Sequence, residues 1–178
     1  MTETFKDILS IGGNSNALGK TDDVIKIVLE DKTRFSELYS CVFDDNAWVR
    51  MRAIDAVEKI GRVNPAWLLP YIDTFQSELA AVTQPSILWH LAQIYRQIEL
   101  SDKQRVKAKL WLGGLLATTE IDWIVAANTM KTLVYFAENG YVSVDSARSL
   151  IEVQLNHKSN TVIRTAKKLL LQLSSSAH

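Results

Sequence analysis

Apolar positions recur along this chain with helical spacing, and the pattern itself repeats. Val49, Ala53, Ala56, Val57 and Ile60 form one stripe, spaced so that they share one face of an α-helix. The template returns about 38 residues later as Ile87, Leu91, Ile94, Tyr95 and Ile98. It returns again about 76 residues on as Val125, Thr129, Thr132, Leu133 and Phe136. A fourth copy, one residue short, reads Val162, Ala166, Leu169, Leu170 and Leu173. Such a period predicts an all-α array of helix pairs, a solenoid whose product is surface rather than a catalytic pocket. Inner helices are predicted near 46–60, 84–98, 122–136 and 160–173, with no sheet.

Polar punctuation brackets these stripes. Thr21-Asp22-Asp23 suits the start of a helix carrying Val24, Ile25, Val28 and Leu29. Phe35, Leu38, Tyr39, Val42 and Phe43 make the outer helix of the first clear pair. Asp44-Asp45 then cap the first inner helix, which Gly61 is predicted to end. Asn64-Pro65 reads as a helix start, and Pro70 should kink that helix. Ser101-Asp102-Lys103-Gln104 is a capping box. Gly140 should close the third inner helix and Ser143 open the last outer one. The whole chain, 1–178, reads as one domain with a loose N-terminal segment over 1–20 and a frayed tail over 174–178.

Composition narrows the class. The 178 residues are 47% hydrophobic, which argues against wholesale disorder. No apolar run approaches the roughly 20 residues of a membrane span, and the acidic N-terminus does not read as a secretory leader. The single Cys41 excludes an internal disulfide and fits a reducing, cytoplasmic compartment. Its setting, Leu38-Tyr39-Ser40-Cys41-Val42-Phe43, predicts a buried inert thiol. Net charge is zero, which disfavours nucleic acid, although the sign is uneven along the chain. Residues 1–100 carry 10 basic and 14 acidic side chains, and residues 101–178 carry 10 and 6. A local basic patch toward the C-terminus therefore stays open, drawing on Lys103, Arg105, Lys107, Lys109, Lys158, Arg164, Lys167 and Lys168. The simpler alternative for these is a solvated helix face.

The segment Asp44-Asp45-Asn46-Ala47-Trp48-Val49-Arg50, running on to Ile60, resembles the second helix of a HEAT repeat. An acidic cap, then Val-Arg, small residues and an aliphatic position make up that pattern. Taken with Trp89-His90-Leu91-Ala92-Gln93, it resembles small bacterial HEAT-repeat proteins. The likeness spans roughly residues 20–173, with Arg50 replaced by Leu88 and Ala126 in later copies. It implies a right-handed α–α superhelix of antiparallel helix pairs, with Arg50 pairing with Asp44 or Asp45. It implies little about activity, because repeat scaffolds host many functions.

Catalytic signatures fail on spacing. Gly13 to Gly19-Lys20-Thr21 imitates a phosphate-binding loop, but five residues separate the glycines and Asn14 stands where a glycine is needed. His90, His157 and His178 are too scattered for a metal motif. Glu120 and Asp122 sit near a helix start, where acids favour the dipole without catalysis. The expectation is a non-enzyme with no cofactor and no metal.

A partner face is predicted from the stripe geometry. With Val49, Ala53, Ala56 and Ile60 inward, Met51, Asp55 and Glu58 point to the concave side of a solenoid. Their equivalents are Trp89, Gln93 and Arg96, then Ala127, Lys131 and Val134. Asp55, Gln93 and Lys131 would form a ladder beside Trp89, with Arg52, His90 and Asn128 on the adjacent flank. Trp89 is either an exposed anchor or packs between repeats. The function expected is a protein-binding scaffold whose concave helical surface meets another protein. The alternative is a nucleic-acid-binding protein similar to the HEAT-like alkylpurine DNA glycosylases.

Overall fold

The computed structural model describes residues 3–175. Every regular element among them is helical, so the fold is all-α. The chain gathers into two compact units, Met1–Leu68 and Leu69–His178.

In the first unit, α1 (Phe5–Ser10), α2 (Thr21–Glu30) and α3 (Phe35–Cys41) all pack on α4 (Ala47–Val63). The first inner stripe becomes the centre of this core: Val49, Ala53, Ala56, Val57 and Ile60 are fully buried. Phe5, Leu9, Val24, Val28, Phe35 and Leu38 close over them. Coverage on three sides also buries polar residues of α4, including Arg52, Asp55 and Glu58. The cap is Asn46, whose side chain accepts the Trp48 amide at 2.9 Å. Asp44 sits two residues earlier and accepts the Asn46 amide at 2.9 Å. Gly61 does not end the helix. It lies buried inside α4, which runs on to Val63 before Asn64-Pro65 stops it.

Within residues 3–20 the chain is more ordered than its composition suggests. Thr4 caps α1, and Phe5 and Leu9 are completely buried. Only 10–20 is exposed throughout, and the buried Arg52 side chain pins it from beneath. Gly19 has φ +55°, and a Cβ there would stand 2.0 Å from the Ile11 carbonyl oxygen, so the loop closes only with glycine.

The second unit holds α5 (Ile72–Ser77), α6 (Pro85–Ile94), α7 (Asp102–Leu116), α8 (Trp123–Glu138), α9 (Val144–Val153) and α10 (Asn160–Ser175). Here α8 is the central helix, with α6, α7, α9 and α10 all packed on it. The last turn predicted for the second inner helix tightens into i→i+3 bonds, Arg96 to Gln93 and Gln97 to Ile94, so α6 ends at Ile94. Pro70 lies in a short 3₁₀ turn, Leu69–Tyr71, rather than in a kinked α-helix. The capping box at Ser101 and Gln104 is formed in both directions. Gly140, at φ +72°, closes α8 with Gly140 N–H to Ala137 O and Tyr141 N–H to Phe136 O, the paired bonds of a Schellman motif. Of the predicted frayed tail, Ser174 and Ser175 belong to α10, and 176–178 lie outside the described residues.

Candidate functional site

Two residues expected on the partner face lie in the first unit, and both are committed internally. Arg52 is 0% exposed. Its guanidinium donates to the carbonyls of Leu9 (2.8 Å), Ala17 (2.9 Å), Gly13 (2.9 Å) and Ser15 (3.2 Å). It is the hub on which the 10–20 loop is wound, not a partner contact. The fork of donors suits this role, because several carbonyl dipoles share one delocalised charge. The geometry also bears on the imitation phosphate loop. Residues 13–17 turn carbonyl oxygens toward a cation, the opposite polarity to a loop whose amides wrap an anion.

Asp55 is 7% exposed and pairs with Lys59 at 3.0 Å, which also meets Asp22 at 3.4 Å. Burial disfavours the Lys59 ammonium, but Asp55 and then Asp22 hold its pKa above the ordinary value. Glu58, 1% exposed, pairs with Arg62 at 2.7 Å. Asp55 and Glu58, expected on a concave face, therefore serve the unit's own packing. Arg50 donates to the backbone carbonyls of Asp44 (2.7 Å) and Asp45 (3.0 Å) at the turn where their carboxylates were expected.

The second unit brings the remaining residues together. Gln93 on α6 donates to the Asn128 side chain on α8 at 3.0 Å, and Asn128 donates to the Ile124 carbonyl at 2.9 Å. Thr132 reaches across to the Ala92 carbonyl at 2.7 Å. α6 and α8 are thus stitched together by polar groups. Trp89 lies one turn before Gln93. It is partly buried, packs against the core cluster around Val125 and Met130, and stacks on His90 with ring centres 3.4 Å apart. His90 is buried and bonds the Ser86 carbonyl through Nδ1 at 2.6 Å. Arg96, partly buried, stands on the turn after α6. Lys131 is the single exposed residue between Val125 and Ala137.

The flank expected at Arg52, His90 and Asn128 is therefore internal at all three positions. The reason is common to them. A helix at the centre of a unit has neighbours on more than one side, so positions beside the apolar stripe are covered as well. Trp89 is neither a free anchor nor fully enclosed. One face packs on the core cluster, and some of it remains exposed.

Among other reactive groups, Cys41 is buried and donates to the Glu37 carbonyl. Burial, then Asp44 and Glu37, push its thiol up to about 11, which keeps it protonated at neutral pH. His157 is held between the Ile121 carbonyl (2.8 Å) and the Ser159 amide (2.9 Å), so Nε2 donates and Nδ1 accepts. Gln154, fully buried, donates to the carbonyls of Leu116 and Thr118 at the end of α7. These three residues act as internal ties. No group of three His, Cys, Asp or Glu side chains among the described residues could hold a metal ion. No helix among them is long and apolar enough to cross a membrane.

Comparisons with protein-family models, curated proteins and solved structures returned no match.

Proposed function

We propose that this chain is a short α-solenoid of the HEAT-repeat type, right-handed in course and cytoplasmic. It acts as a non-enzymatic scaffold that binds another protein. In support, α6, α8 and α10 pack in chain order, and the recurring stripe is buried in and just after α6, on α8, and on α10 apart from the partly buried Leu170. The observation that carries the binding reading is the Gln93–Asn128 hydrogen bond. It ties α6, which carries Trp89, to α8, which carries Lys131, with Arg96 on the turn that follows α6. A partly exposed indole on α6, with exposed Lys131 on the neighbouring α8, suits a partner presenting an apolar side chain and a carboxylate. Asp55 and Arg52 contribute by stiffening the first unit rather than by contact.

The test is a photo-crosslinking residue placed at Lys131 in the native cell, with a second at exposed Lys26 as control. Crosslinks specific to Lys131 should identify one protein whose affinity falls about tenfold in Lys131→Glu, by loss of roughly 1.4 kcal/mol. Equal crosslinking from both positions, or unchanged affinity of the variant, would remove this face from the function.

The nucleic-acid reading, similar to the HEAT-like alkylpurine DNA glycosylases, draws on one observation. Lys158 and, on α10, Arg164, Lys167 and Lys168 are exposed or partly so, with no hydrogen-bond or ion-pair partner among the described residues. Anisotropy with a labelled duplex at two salt concentrations tests it, since phosphate contacts must weaken steeply as salt rises.

A further inference from the structure

The second unit also contains an apolar cavity of about 350 Å³. Its apolar lining includes Leu88 of α6, Leu115 of α7, Ile121 just before α8 and Val125 in its first turn. That size lies near the lower end of the roughly 300–1,000 Å³ typical of ligand pockets. It suits one large side chain better than a whole cofactor. Two carboxylates stand at the lining, Glu120 and Asp122, both on exposed residues, and no basic residue joins them. Asp122 accepts the Ile124 amide as the cap of α8.

Two features of the chain bear on what enters. Gly114 lies inside α7 at the cavity wall, and a Cβ there would meet nothing within 4 Å. A glycine in a helix interior weakens the helix. A Cβ on Gly113 beside it would meet Leu150 at 3.5 Å, an ordinary contact, whereas one on Gly114 would meet nothing. What the bare Cα of Gly114 preserves is the open space of the cavity. The other feature is the extended segment leading into α6, with Val82 at φ −73°, ψ 138° and Gln84 at φ −66°, ψ 120°. Val82 and Thr83 line the same cavity, and the Thr83 amide and the Val82 and Thr83 carbonyls have no hydrogen-bond partner among the described residues.

We propose that this cavity is a docking site for an extended basic peptide segment of a partner protein. An aliphatic or aromatic side chain packs against the apolar lining. A neighbouring Lys or Arg meets Glu120 and Asp122, and the peptide backbone runs along Val82–Gln84. The recognition logic is that of strand addition, with main-chain bonds for affinity and a side-chain pocket for specificity. The proposal rests on the protein-binding reading above, but on a different surface from Trp89 and Lys131.

The experiment uses the full chain and two matched fluorescein-labelled heptapeptides. One carries Leu followed by two Lys, and the other carries Glu in those two places. The Lys peptide should bind about tenfold or more tightly over the Glu peptide at low salt. Gly114→Leu, checked for folding by its melt, should abolish saturable binding by occupying the cavity. Glu120→Gln with Asp122→Asn keeps the helix cap, because Asn caps as well as Asp. It should shrink the preference to under about threefold. Methyl shifts on binding should centre on Leu88, Leu115, Ile121 and Val125. Absent binding, equal binding of the two peptides, or binding that survives Gly114→Leu would overturn the proposal. Shifts centred on Trp89 would do the same. If Lys131 crosslinks persist while peptide binding fails, the cavity is lost and the scaffold reading stands. The reverse result removes the Lys131 face and keeps the cavity.

Discussion

Arg52→Ala isolates the device that orders the N-terminal loop. The wild-type guanidinium makes four hydrogen bonds to carbonyls that span residues 9–17. A hydrogen bond from a charged donor contributes about 1.5–3 kcal/mol, but four on one group do not add. Three of the carbonyls belong to the exposed 10–20 stretch and can turn to water once the loop lifts. The Leu9 carbonyl is bonded at a buried site and would lose its partner there, at about 1–3 kcal/mol. With the lost packing of the side-chain stem included, the expected destabilisation of the Met1–Leu68 unit is about 3–4 kcal/mol. Arg52→Lys should recover less than half, because one ammonium cannot reach carbonyls distributed around a planar fork. Arg50→Ala is the internal comparison. It removes two carbonyl contacts at a half-exposed turn and should cost about 1 kcal/mol. Urea unfolding monitored by the fluorescence of Trp48 and Trp67 gives the stabilities. Tryptic cleavage after Lys20 reports the loop directly. If Arg52→Ala loses under about 1 kcal/mol, or the loop keeps its protease resistance, the hub account is wrong.

Three further outcomes are expected. Trp89→Ala should cost about 2–3 kcal/mol in thermal or urea unfolding, since the indole packs on the α8 cluster on one side only; a silent melt would return Trp89 to the surface. Cys41 should resist a disulfide-exchange reagent at pH 8 in the folded protein and react at once in urea, because burial raises its pKa to about 11. Prompt reaction of the native thiol would contradict that burial. The Lys6 contact at 2.7 Å, with lesser help from the Asn46 amide, lowers the Asp44 pKa, so this group's stabilisation is present above the unfolded carboxylate value and lost as pH falls through the folded one. Acid titration of stability should therefore be shallower in Asp44→Asn below about pH 4, and an unchanged slope would rule the pair out as a contributor.

The repeat template and its caps were legible because helix periodicity and end chemistry are local. Val49 to Ile60, Ile87 to Ile98 and Val125 to Phe136 face inward as their spacing requires. Ser101, Ser143 and Gly140 perform the end roles that their types suit. Asp44 and Gly61 misled by a few residues, since Asn46 competes for the same cap and a buried helix can carry a glycine past its nominal stop. The partner face was less legible. Helical angle tells which way Asp55, Arg52, His90 and Asn128 point, but not whether another element stands there. In this fold α1, α2 and α3 cover α4, and four helices cover α8, so those polar residues became internal ties while Lys131 stayed in water. The capture of residues 9–17 by Arg52 and the open space beside Gly114 join segments distant in the chain. No local pattern encodes either one. They exist only where tertiary packing brings a side chain, or the lack of one, to a place that sequence spacing cannot specify.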